Sequence, residues 1–197
     1  VLPVGCDLSS IPSGPKDDPP LILWNHRWDP DKDPAAFLES MTRLAATGAR
    51  FGIALTGERF VQQRPGHDDA IDALGDLVVV DGYLDRRDYL DVLGRSTIVM
   101  SSAHQEFFGV SVVEAMAAGA VPILPHRLVY SERVPSDCVT RTLYRTQDEA
   151  VDLLIAAVEG GEETRSLGTR LAATVRDYDW SVVAPSYDRW LQTTVTS

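Results

Sequence analysis

Five short apolar runs recur along this chain: LILWNH (21–26), FGIALT (51–56), LVVVDG (77–82), TIVMSS (97–102) and VPIL (121–124). Stretches with helical spacing separate most of them. Near-continuous apolar runs of this length suit strands covered on both faces, as in a parallel sheet. Strands that alternate with helices leave few architectures open. The expected fold is α/β: a Rossmann-like, doubly wound parallel sheet with helices on both faces.

The helix boundaries carry chemical signals. Asp33 is placed as an N-cap, Pro34 suits the first turn and Gly48 suits the stop. Between them Phe37, Leu38, Met41, Leu44 and Ala45 share one face. A short helix fits Asp69 to Leu74, and Asp85 caps another over Arg86 to Leu93. Residues 110–118 predict a further helix, and TQDE (146–149) resembles a capping box. Past Thr142 the chain reads as helical. Pro122 favours a strand start or a sheet edge. Residues 1–20, with SIPSGPKDDPP, read as a linker and lead-in. The sheet domain is expected over 21–178 and a separate terminal helix over 179–197.

Composition argues against several functions. A chain of 197 residues is long enough for one domain, and its net charge of −11 argues against this domain alone gripping a nucleic acid, where a basic face is expected. A few local cations could still hold a small phosphate-bearing ligand. No run approaches the ~18 apolar residues of a membrane span, and no secretory leader is visible at the start. Cys6 and Cys138 are too few for a disulfide framework and read as free thiols in a reducing compartment. The expected location is the cytoplasm, with no membrane span. His26, His67, His104 and His126 show no ligand spacing. Asp29, Asp31 and Asp33 suggest a calcium loop, but Pro34 and Ser40 stand where such a loop needs Gly and Glu. No metal is expected.

In sheets of this kind ligands bind beyond the carboxyl ends of the strands. That rule selects residues 26–33, 56–60 and 102–110. In NHRWDPDKDP, Arg27 and Lys32 lead into a capped helix whose N-terminus favours an anion. Two cations there suit a diphosphate; two solvated surface cations are the plain alternative. In the last segment Glu106 precedes Phe107, Phe108 and Gly109, and Glu114 lies inside the apolar helix that follows. Burying a carboxylate without a partner is costly. Gly109 lets the N–H groups of Val110 and Ser111 approach a phosphate. Glu114 is placed to accept from ligand hydroxyls such as a ribose diol. Singly, each acid is ordinary; the spacing of the pair favours function.

Glu106 and Glu114, with seven residues between them and AMAAGAVP following, resemble the E-x7-E signature of family-4 retaining glycosyltransferases. Arg27 with Lys32, Gly57-Glu58, Asp81-Gly82-Tyr83 and the linker-like VLPVGCDL extend the resemblance over nearly the whole chain. It implies the GT-B fold, in which two Rossmann-like domains face each other. This chain resembles the C-terminal, donor-binding one, and DYDWSVVAPSYDRWL resembles the helix that crosses back to the first. LWNHRWDPDKDP, HQEFFGV and HRLVYSERVP resemble the subfamily that includes tRNA-queuosine mannosyltransferase. The chain departs from general members, which carry Gly-Arg before the first loop and Gly-Gly near Val129-Tyr130.

The resemblance implies roles. Arg27 and Lys32 bind the donor diphosphate and stabilise its departing charge, and with Glu106 they form the catalytic set. Glu106 positions the hydroxyls of the donor sugar, and Glu114 binds the ribose. Gly57, Tyr83, Phe108, Gly109, Val110 and Ser111 complete the donor site, with the base near Tyr83. The substrate is a nucleotide-sugar, with a GDP-sugar, GDP-mannose, favoured over a UDP-sugar and no cofactor needed. The implied partners are an N-terminal acceptor-binding domain and, through it, tRNA as acceptor. One alternative is a non-catalytic nucleotide-binding or regulatory module with this fold, which intact Arg27, Lys32, Glu106 and Glu114 disfavour. Another is a nucleotide-sugar epimerase of similar shape. The lack of G-x-G-x-x-G disfavours dinucleotide dehydrogenases. The isolated chain is expected to bind nucleotide without turnover.

Overall fold

A computed structural model describes residues 4–58 and 67–195. Its strands are β1 (Leu21–Trp24), β2 (Gly52–Leu55), β3 (Val78–Asp81), β4 (Ile98–Met100), β5 (Val121–Pro125) and β6 (Leu143–Tyr144). They form one six-stranded sheet in the order β3-β2-β1-β4-β5-β6, and every pairing is parallel. All residues of β1, β2, β4 and β5 are buried, which explains why their sequences run apolar without alternating. β3, at the edge, alternates between half-buried and exposed. Pro122 is the second residue of β5, in a stretch paired with β4 alone, because β6 joins only at Leu124 and Pro125.

The principal helices are α1 (Pro34–Ala46), α2 (His67–Leu74), α3 (Arg86–Arg95) and α4 (Val110–Ala117). Two short ones, α5 (Tyr130–Arg133) and α6 (Val139–Thr142), precede α7 (Gln147–Glu159), α8 (Gly161–Thr174) and α9 (Trp180–Val195). The predicted caps are in place. Ala36 N–H donates to Asp33, Asp88 N–H to Asp85 and Glu149 N–H to Thr146. Gly48 takes the left-handed backbone that ends α1, with φ +80°. The apolar face of α1 lies on β1, where the rings of Trp24 and Phe37 stack at 5.4 Å. Both rings are fully buried, each contributing about 1.5–3 kcal/mol by burial.

Two features differ from expectation. The segment past Thr142 holds a strand, β6, too short to show any period. The lead-in is woven into the fold: Cys6, Leu8 and Ile11 are buried in the core. Cys6 N–H donates to Tyr178 O, and Trp180 N–H donates to Cys6 O. Lys16 Nζ donates to Gly94 O and Ala118 O, holding the ends of α3 and α4 together. α9 buries Val183 but leaves Trp180, Val182, Trp190 and Leu191 exposed. Among the described residues no helix is long and apolar enough to cross a membrane.

The order in which successive strands are laid down reverses between β1 and β4. The loops leaving their carboxyl ends, 25–33 and 101–109, therefore meet at the topological switch point. They are tied together. His104 N–H donates to Asp31 O at 2.7 Å, and Ser102 Oγ reaches both Lys32 O and Asp33 O at 2.8 Å. Arg127 caps the freed carbonyls of Ser102 and Ala103.

Candidate functional site

Lys32 and Glu106 come together at this switch point. Lys32 Nζ lies 3.2 Å from Glu106 Oε2 and donates to Gln105 O at 2.8 Å. Both side chains are mostly covered, at 12% and 15% exposure. The other oxygen of Glu106 accepts from the N–H groups of Phe107 and Gly109, both at 3.1 Å. Glu106 therefore shapes its own loop as well as facing the cation. Arg27 stands further out, 59% exposed and 3.0 Å from Asp29.

Gly109 follows with φ +82° and opens α4. As the N-cap it offers no side-chain acceptor, so the first-turn N–H groups, including those of Val110 and Ser111, are available to an anion. Glu114, one turn further, is only 13% exposed. Its Oε1 accepts from Arg86 at 2.8 Å and its Oε2 from the Tyr89 hydroxyl at 3.2 Å. Tyr89 in turn accepts from Asn25, whose amide also donates to Ser111 O. Sequence reasoning named Glu114 but missed Arg86, Tyr89 and Asn25. Asn25 at the end of β1, a polar residue ending an apolar run, was the available signal.

The other expected site residues lie on the loops around this junction. A Cβ on Gly57 would sit 1.6 Å from His26 O. Glycine is required there because two backbone segments touch. Phe108 turns its ring toward the protein, 5.2 Å from that of Tyr178 and 4.2 Å from the Arg133 guanidinium. The ring anchors the loop from behind. Tyr83 is 76% exposed beyond the carboxyl end of β3. Glu58 receives Trp28 N–H on its carbonyl, closing the 56–58 turn onto the first loop.

The histidines divide. His104 Nε2 lies 2.9 Å from Asp33 Oδ2, beside the cap of α1. His26 is buried, edge-on to Trp24, and its Nε2 has no hydrogen-bond partner among the described residues. Burial first, then the Lys32 charge, push its pKa down to about 4, so the ring is neutral near pH 7. Among the described residues no three His, Cys, Asp or Glu side chains cluster as metal ligands would.

A six-stranded parallel sheet covered by helices, with its loops meeting at the switch point, defines an α/β domain of the Rossmann-like class found in GT-B enzymes. The chain belongs to the glycosyl transferases group 1 family, whose pattern matches residues 8–170. It is 34% identical over 130 residues to the tRNA-queuosine alpha-mannosyltransferase of Drosophila melanogaster, covering 62% of this chain and 34% of that protein. The chain thus spans about a third of that relative's length. Its fold matches sucrose-phosphate synthase from Thermosynechococcus elongatus with a TM-score of 0.79 at 20% identity, over 100% of this chain and 53% of that one. HepE of Anabaena, solved with UDP and glucose, matches with a TM-score of 0.72 at 15% identity, over 96% of this chain and 55% of that one. At such identities the likeness establishes the fold alone.

Proposed function

We propose that this chain is the donor-binding domain of a retaining hexosyltransferase that takes GDP-mannose and transfers mannose to an acceptor in tRNA. The observation that carries the donor site is the joining of Lys32, Glu106, the α4 N-terminus and Glu114 around Gly109. A diphosphate fits between the Lys32 ammonium, the more exposed Arg27 and the N–H groups of Val110 and Ser111. Cation and helix terminus together stabilise the charge that grows on the departing diphosphate. Glu106 faces the sugar, Glu114 the ribose and Tyr83 the base. The family's E-x7-E pattern supports these roles residue by residue.

Mannose and the queuosine-modified acceptor rest on the Drosophila relative, and GDP on the resemblance of LWNHRWDPDKDP, HQEFFGV and HRLVYSERVP to that subfamily. The net charge of −11 leaves tRNA to an acceptor-binding domain joined to this one in the whole protein. Positioning of acceptor against donor then needs both domains, so this chain alone binds nucleotide without transferring sugar. Both cysteines are free and buried, which fits the cytoplasm.

The test is calorimetric titration of the chain with GDP, UDP and ADP, repeated on Glu114→Ala and Arg27→Ala. The reading requires GDP to bind best and both substitutions to weaken it. Tighter binding of UDP overturns the GDP assignment, and binding untouched by either substitution overturns the site.

A further inference from the structure

Glu114 is held by a chain of donors that no ligand-binding role on its own would require. Asn25 lies at the end of β1 and Tyr89 in α3, 64 residues apart in sequence. Asn25 Nδ2 donates to Ser111 O at 2.8 Å and to the Tyr89 hydroxyl at 3.0 Å. The amide cannot be turned the other way. Ser111 O is a carbonyl and accepts only, so the nitrogen must face it. Asn25 Oδ1 is consequently buried with no partner among the described residues, an arrangement that costs free energy.

This fixes a proton. A tyrosine hydroxyl has one hydrogen to give. With Asn25 donating to it, that hydrogen points to Glu114 Oε2, 3.2 Å away. Burial, and next the Glu114 charge, raise the Tyr89 pKa, so the hydrogen stays on the phenol. Arg86 NH1 supplies the second donor, to Oε1 at 2.8 Å. Each carboxylate oxygen then holds one donor and keeps lone-pair capacity for another. Two oxygens on one fixed carboxylate match the two adjacent hydroxyls of a ribose, and a nucleotide lacking one of them leaves an oxygen poorly used.

We propose that Tyr89, its proton directed by Asn25, is the positioning residue that aims Glu114 at a ribose diol and so makes the site prefer ribonucleotides to deoxyribonucleotides. This deepens the donor-site reading and rests on its placement of ribose at Glu114. Arg86 is the exposed member of the set, 49% accessible. The more deeply placed Tyr89 sets the angle.

The experiment measures binding of GDP and 2′-deoxy-GDP to the wild-type chain and to Tyr89→Phe, with melting curves for both. The wild type is expected to prefer GDP. Tyr89→Phe, which removes a single oxygen, is expected to weaken GDP about fivefold and 2′-deoxy-GDP much less, so that the ratio between the two shrinks. A purely structural role for Tyr89 would weaken both nucleotides equally and keep the ratio, and that result overturns the proposal while leaving the donor site intact. A wild type that does not distinguish the two nucleotides, or binds neither, overturns the ribose reading of Glu114 and this proposal with it. Asn25→Ser, too short to bridge Tyr89 and Ser111, should shrink the ratio as well, and decides the matter if Tyr89→Phe does not fold.

Discussion

Lys32 and Glu106 form one ion pair, Nζ to Oε2 at 3.2 Å, across the junction of the two loops. The cation expected at the diphosphate and the acid expected at the sugar thus hold each other before any ligand arrives. Each is fixed by a second bond, Lys32 to Gln105 O and Glu106 to Gly109 N–H. The pair is a preset arrangement in which donor binding adds a further anion to a cation that already faces Glu106 and, at 3.4 Å, Asp31.

Removing the cation should hurt binding more than neutralising the acid. Lys32→Met deletes a charge-assisted contact worth about 1.5–3 kcal/mol, so GDP affinity is expected to fall by about tenfold to a hundredfold. Glu106→Gln keeps a carbonyl oxygen for the N–H groups of Phe107 and Gly109. It should leave GDP within about threefold of wild type while reducing any preference for GDP-mannose over GDP. Calorimetry with both ligands checks this, and equal losses of GDP in the two variants would contradict it.

Gly57 tolerates no side chain. An added Cβ would stand 1.6 Å from His26 O and 2.7 Å from the carbonyl carbon, both backbone atoms that cannot swing away. Gly57→Ala must part the turn after β2 from the end of β1. The expected loss is about 3 kcal/mol or more, read as a lower urea midpoint. An unchanged midpoint would mean the two segments do not touch.

Arg133 supports the site from behind. It is buried, lies over the rings of Phe108 and Tyr178 at 4.2 and 4.7 Å, and donates to Phe108 O and the Tyr178 hydroxyl. The planar guanidinium makes all four contacts, and a lysine ammonium cannot. Arg133→Met and Arg133→Lys should both cost about 2 kcal/mol or more in stability and weaken GDP by loosening residues 105–109. Full rescue by lysine would show that charge alone matters there.

Much of this was legible because it is local. Strands buried on both faces must read apolar, and the caps Asp33, Asp85 and Thr146 act within three residues. The pair Glu106 and Glu114 sits on one loop and one helix, so spacing exposed it. What stayed hidden is carried by contacts between distant segments. Asn25, Tyr89 and Arg86 meet Glu114 only because β1, α3 and α4 pack side by side, and no period in the sequence marks that meeting. Gly57 and Phe108 lie in segments that do border the site. Which way a residue faces within such a segment depends on partners, His26 O and Arg133, that local pattern does not name.

His26 links the site to pH. Its folded pKa of about 4 lies below the ordinary value near 6.5, chiefly through burial and then through Lys32. The folded state therefore binds fewer protons than the unfolded state between those values, and stability falls as pH drops through that window. Above about pH 6.5 both states carry a neutral ring and His26 adds no pH dependence. The slope inside the window is about 1.4 kcal/mol per pH unit, so taking the pH from 7 to 4.5 should remove on the order of 2–3 kcal/mol through this residue. His26→Gln has nothing to protonate there. Its urea midpoint should fall less than that of the wild type over the same range, while other groups contribute equally to both. Parallel curves for the two proteins would show that the imidazole is solvated and protonates freely, and would move it out from beneath Lys32.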